Sequence, residues 1–343
     1  MGFSAFKKTS PRSLGQALCW LLAAAATGAL AHGGPLDEMR ALSKLPPVDL
    51  AALKRGEIVS VRGPMGNFSR GIYLESCYFI HASINIVGTA LLHWNPAPHK
   101  SLEVRLYREF SLPAAADAFK TLQLNPAISD DRWLLGHTAE VFQAYQTGDL
   151  HLTEEEAALL RKKPMTPSVT WQEILRRRSD ALARGGLSAV APYASNELIS
   201  PGSEFHGLLT LAPKIARHFR PILGAHPLVA NGRLASEVVA YWETARVRNH
   251  TTLQLGLVAA HKSLESWQLI DCIYYPSDTY FMALDLYQLW PVEGGTVVWR
   301  VSFVSAPFRS YLGGLDRFVA SKQMMQETLD TIGVFRADIE KRR

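Results

Sequence analysis

The sequence predicts an α+β fold: a curved antiparallel sheet of about seven strands gripped by a long C-terminal helix, with a mainly helical insertion between strands two and three. Three observations predict it. Apolar and polar residues alternate over Ile72–Ile80, over Leu102–Phe110 and again through Glu237–Ser305, which is the period of strands. Between these blocks, from Leu112 to Leu223, the period turns helical. One amphipathic stripe of Leu315, Phe318, Val319, Met325, Leu329 and Ile332 then closes the chain.

The N-terminus has the layout of a secretory signal peptide. Lys7, Lys8 and Arg12 precede an apolar run from Ala17 to Leu30, which ends at Ala29-Leu30-Ala31. The run is shorter than the roughly 20 apolar residues that span a bilayer, so cleavage after Ala31 is expected. Residues 1–31 are therefore read as a leader and the rest as an exported protein, periplasmic or extracellular, with no transmembrane segment after cleavage. Residues 32–70 form a lead-in segment broken by Pro46-Pro47 and Gly63-Pro64, with a short helical stretch around Leu50–Leu53.

The body follows in order. Ile72–Ile80 is the first strand. Ser83 caps a short helix carrying Ile86, Val87, Ala90 and Leu91, ending near Asn95-Pro96. Leu102–Phe110 is the second strand, with Leu102, Val104, Leu106, Arg108 and Phe110 on the inner face. Ala114–Leu122 reads as a helix. Thr153–Glu156 and Thr170–Glu173 both match the capping box, and Gly185-Gly186 ends the second of those helices. His206–Leu223 reads as a helix broken at, or starting from, Pro213. Five strands close the sheet: Glu237–Arg248, Thr251–His261, Trp267–Tyr275, Thr279–Trp290 (stopped by Pro291) and Thr296–Ser305. Domain boundaries follow: residues 71–111 and 236–343 make the α+β domain, and 112–235 the insertion.

The chain holds 36 basic and 31 acidic residues. The leader takes away three basic and no acidic ones, leaving 33 against 31, so the basic pI belongs largely to the leader. The runs Arg161–Lys163, Arg176–Arg178 and Lys341–Arg343 are short, and the first two sit beside acidic residues; nothing here forms a nucleic-acid stripe. H-E-x-x-H, G-x-S-x-G, the Walker loop, G-x-G-x-x-G and C-x-x-C are all missing. The eleven histidines are scattered, so neither a metal nor a cofactor is expected.

This order of elements resembles the START-like (helix-grip) superfamily of lipid-transfer domains and polyketide cyclases. The resemblance rests on Gly71–Ser83 as first strand, Ile84–Trp94 as first helix, the meander Glu237–Ser305 and the helix Leu315–Ile339. It implies that the first strand pairs with the last and the second with the third. The insertion departs from the family, which joins strands two and three tightly. A second architecture fits the same elements, in which the five-strand meander forms a sheet of its own.

The resemblance implies a cavity between sheet and terminal helix. Tyr241, Glu243, Trp267, Asp271 and Tyr275 alternate onto the inner face, and Tyr280 and Trp299 add polar-tipped aromatics; with Arg108 these are the candidate ligand-binding residues. Neighbouring second and third strands would let Arg108 meet Glu243, either as a polar anchor in the cavity or as a structural ion pair at a strand end. The favoured function is a non-catalytic binding protein for a hydrophobic small molecule or lipid. The alternatives are an enzyme using Glu243 or Asp271 as a general acid–base, and an interaction module docking through residues 112–223, which would show an exposed apolar patch and no cavity. Cys77 and Cys272 fall on the outer face, three strand spacings of about 4.8 Å apart, too far to bridge.

Overall fold

The computed structural model describes residues 34–144, 148–161, 166–194, 198–308 and 315–341. The expected leader and cleavage site fall on residues outside those described. The chain divides into two compact units, Met1–Ala41 and Leu42–Arg343. All of helix α1 (Pro35–Leu42) but its last residue belongs to the first, where Arg40 donates to Asp37 at 2.9 Å.

The second unit opens with α2 (Leu50–Lys54) and β1 (Val59–Arg62), followed by β2 (Gly71–Ile80), α3 (Ile84–Leu92) and β3 (Val104–Phe110). Between the second and third long strands lie α4 (Ser129–Ala144), α5 (Glu154–Arg161), α6 (Pro167–Gly185), β4 (Tyr193–Ala194), β5 (Leu198–Ile199), α7 (Pro201–Leu209), α8 (Pro213–His218), α9 (Arg220–Leu223), β6 (Ala225–His226) and β7 (Arg233–Leu234). The meander is β8 (Glu237–Val247), β9 (His250–Lys262), β10 (Trp267–Pro276), β11 (Met282–Val292) and β12 (Gly295–Ser305), and α10 (Leu315–Glu340) ends the chain.

The fold is α+β with one large antiparallel sheet of eight strands, in the order β1-β2-β12-β11-β10-β9-β8-β3. The first long strand pairs with the last and the second with the third, so the meander belongs to the same sheet as β2 and β3. The eighth strand is β1, from the lead-in segment, paired to the free edge of β2. It covers an edge that would otherwise offer unpaired backbone groups.

Both faces of the sheet are covered. On the inner face, Ile332, Phe335 and Ile339 of α10 and Val87 and Leu92 of α3 pack with Ile80, Val258, Leu269 and Val298. On the outer face α4 packs on β9, α7 on β2, β11 and β12, and α9 on β9 and β10. All ten residues of β2 are consequently buried. Leu315, Phe318 and Val319, the first residues of the expected stripe on α10, are exposed; burial begins at Ser321.

Local signals fare unevenly. The Thr153 capping box forms as expected: the Thr153 N–H donates to Glu156 at 2.8 Å and the Glu156 N–H to Thr153 Oγ1 at 3.1 Å. The Thr170 box does not. Pro167 starts α6 one turn earlier, with Thr166 as cap, and Thr170 sits inside the helix donating to the Thr166 carbonyl. Residues 114–122 make turns instead of a helix. His206–Leu223 is divided over α7, α8 and α9, and Pro291 lies within β11 beside the hairpin.

Candidate functional site

A cavity of about 620 Å³ lies between the inner face of the sheet and α10. Val104, Tyr107, Tyr241, Glu243, Gln254, Val258, Asp271, Ile273, Tyr280, Asp285, Tyr287 and Arg300 form its sheet side; Ala320, Gln323, Met324, Glu327, Asp330 and Thr331 form the helix side. Leu91 and Trp94 close one end. A second cleft of about 960 Å³ shares Arg248, Thr279, Phe308, Ala320 and Gln323 with it.

Strand register places the polar groups. Tyr107, Glu243 and Gln254 are cross-strand partners on β3, β8 and β9, so their side chains form one row. Asp271 and Asp285 are partners on β10 and β11, and Asp285 faces Ser302 on β12. Between the two rows Tyr241 faces Gly256. A methyl group at Gly256 would lie 2.2 Å from the Tyr241 ring. The missing side chain lets that ring cross β9, where its hydroxyl donates to Asp271 at 2.8 Å. The ring also packs against Tyr107, centroid to centroid 5.1 Å.

The charges in the cavity are unequally compensated. Arg300 donates to both oxygens of Asp285, at 3.1 and 2.8 Å, and Ser302 donates to the same carboxylate. Burial works against the Arg300 charge, but Asp285 outweighs it and the guanidinium stays firmly protonated. Glu243 is 7 % exposed and has no hydrogen bond or ion pair among the described residues. Burial, and then the charge of Asp271, push its carboxyl up to about 8. Asp271 rises to about 7, through burial and the neighbouring Asp285, against the lowering effects of the Tyr241 hydroxyl and of Arg300. Gln254 and the hydroxyls of Tyr107, Tyr280 and Tyr287 also lack a hydrogen-bond partner among the described residues, although all line the cavity.

Of the residues expected here, Tyr241, Glu243, Asp271 and Tyr280 line the cavity. Arg108 does not. It is exposed, donates to the Tyr107 carbonyl at 2.9 Å, and stands opposite Trp242, while Tyr107 takes the place beside Glu243. The reason is a bulge between Val104 and Leu106, which shifts every later residue of β3 to the other face. A bulge between Ile273 and Tyr275 likewise turns Tyr275 outward. There it donates to the His151 carbonyl at 2.9 Å, beneath the Arg178 guanidinium 4.0 Å from its ring. Trp299 also faces outward, donating to Glu75 at 3.2 Å. Trp267 is on the inner face but is packed under Gly88 of α3, in the core instead of the cavity wall.

Gln254, Asp285, Tyr287 and Arg300 were missed. The signal was available: Gln254 alternates with Leu253 and Leu255 on β9, and the other three follow the parity of β11 and β12.

A second polar cluster lies on the 960 Å³ cleft. Asp278 accepts from His250 Nε2 at 2.7 Å, Thr252 at 2.9 Å, Ser277 at 2.7 Å and Thr279 at 2.5 Å. Burial acts to raise the Asp278 carboxyl, but these bonds hold it below the usual range. The His250 ring stacks on Trp133 at 3.8 Å. Asp278 and Thr279 share the same histidine nitrogen, the latter at 3.3 Å, so the set lacks the acid–base–nucleophile relay that needs both ring nitrogens. Among the described residues no three His, Cys, Asp or Glu side chains converge as a metal site, and no helix is long and apolar enough to cross a membrane. No protein-family model, curated protein or solved structure matches this chain.

Proposed function

We propose that this chain is an exported binding protein that holds a hydrophobic small molecule or lipid in the cavity between sheet and α10, on a START-like scaffold with residues 112–235 as an insertion. One observation carries the reading. A cavity of about 620 Å³, within the roughly 300–1,000 Å³ of small-molecule sites, is walled by apolar side chains and by polar tips that have no partner among the described residues. Buried polar groups are normally satisfied, so these groups suit a ligand. The two shared pairings, first strand with last and second with third, support the scaffold.

Native mass spectrometry of protein purified from its own host tests it. A bound small molecule, released and identified on extraction, is expected. Protein that carries nothing and takes up no apolar ligand in titration overturns the reading.

A second reading, an enzyme on the same scaffold, is favoured by the carboxyls of Glu243 and Asp271, both titrating near neutrality on one wall. Incubation with the extracted ligand separates the two: turnover abolished by Asp271→Asn supports catalysis, and unchanged ligand supports binding. The docking-module alternative called for no cavity, and the exposed large apolar residues among the described part of 112–223 are only Val169 and Leu198.

A further inference from the structure

We infer that the ligand carries a protonated amine, whose ammonium group docks on Glu243, on the wall it shares with Asp271 and the rings of Tyr107, Tyr241 and Tyr280. The inference rests on the reading of the cavity as a small-molecule site and assigns the chemical class of its occupant.

The charge balance of the wall points there. Six acidic residues line the cavity, Glu103, Glu243, Asp271, Asp285, Glu327 and Asp330, against three basic ones, Arg246, Arg248 and Arg300. Among the described residues none of these basic groups forms an ion pair with Glu243 or Asp271. Arg300 is engaged by both oxygens of Asp285. Arg246 pairs with Glu103 at 3.3 Å and Asp130 at 3.4 Å. Arg248 is exposed at the mouth shared with the second cleft. Glu243, more than nine-tenths buried, therefore faces the cavity with no ion pair and no hydrogen bond among the described residues.

Burying a carboxylate without a partner is costly. The chain nevertheless places a second one, Asp271, on the same wall. An ammonium group removes that cost. It supplies a full positive charge and up to three N–H donors, enough to bond Glu243 and the Gln254 carbonyl oxygen, its neighbour in the same row, while its charge also offsets that of Asp271. The surrounding rings fit the same guest, because the face of a tyrosine ring attracts a cation within about 6 Å. Tyr107 and Tyr241 already present a packed pair at 5.1 Å. Val104, Val258, Ile273, Met324, Leu91 and Trp94 line the same cavity and offer apolar surface for the rest of the ligand.

The test is isothermal titration of the mature protein at pH 8 with three twelve-carbon probes, dodecylamine, dodecan-1-ol and dodecanoate, the two charged probes below their micelle concentrations and the alcohol below its solubility limit. Dodecylamine should bind at least tenfold more tightly than the alcohol, and dodecanoate most weakly. In Glu243→Gln the preference of amine over alcohol should shrink severalfold. Equal binding of amine and alcohol, or tightest binding of dodecanoate, overturns the amine assignment and leaves the cavity reading standing. Binding of none of the three fails the cavity reading itself, and the assignment falls with it. The comparison of probes on the unmodified protein decides the matter even where the variant does not fold.

Discussion

At the scale of single residues, Glu243 sets a measurable pH signature. Its carboxyl is neutral in the folded and unfolded chain below the ordinary value of 4.5, whereas the folded form resists ionisation up to about 8. Between those limits the folded state holds the extra proton, so this residue costs stability as pH rises. Glutamine has no such cost. The melting temperature of Glu243→Gln relative to the unmodified protein should therefore climb by about 5 °C between pH 4.5 and pH 9. A difference that stays flat across that range would show that Glu243 is well solvated. Asp271 should behave alike, with its window ending near 7. Both carboxyls were legible from alternation, as was Tyr241, because each lies before or beyond any irregularity in its strand. Arg108 and Tyr275 were not. Each follows a bulge, and a bulge is one extra residue that composition does not announce.

At the scale of elements, the same irregularities build the site. Without the bulge in β3, Leu106 would stand opposite Glu243 and Arg108 would turn inward opposite Tyr241, the neighbouring place on the same face as Glu243. Gly256 is the matching device in β9. It reads in the sequence as a weak point in a strand, but its work is to let the Tyr241 ring pass. Gly256→Ala should expel that ring, break the bond to Asp271 and destabilise the protein by about 1–3 kcal/mol, the usual cost of overpacking; urea denaturation measures it. A variant as stable as the parent would mean that the ring does not lie across β9. The capping box at α5 gives a quieter expectation. Thr153→Ala removes the acceptor of the Glu156 N–H and should cost about 1 kcal/mol in the same assay. Its look-alike at Thr170 is inactive because Pro167 suits the first helical position and starts the helix earlier, so Thr170→Ala should lose markedly less.

At the scale of the molecule, the sheet is covered on both sides. Cys77 and Cys272 lie on the outer face, separated by β12 and β11, unbridged and fully buried. Burial lifts both thiols, Cys77 to about 12. Neither should react with a thiol reagent in the native protein within minutes, and both should react once it is denatured. Reaction of only one or neither after denaturation without reductant would contradict the strand order. Period and chain order alone determined the class of fold, the places of the seven long strands, the closing helix and the inward carboxyls, because alternation and amphipathic stripes are local consequences of which face meets water. Which face of the sheet holds a cavity was decided only by tertiary structure. With α10 on one side and α4, α7 and α9 on the other, Trp299 and Tyr275 could satisfy their polar tips outside as well as inside, and apolar pattern no longer distinguished core from wall. That Glu243 has no partner among the described residues was likewise decided there, since it depends on what β3, β9 and β10 bring beside it, and bulges set that register through long-range pairing.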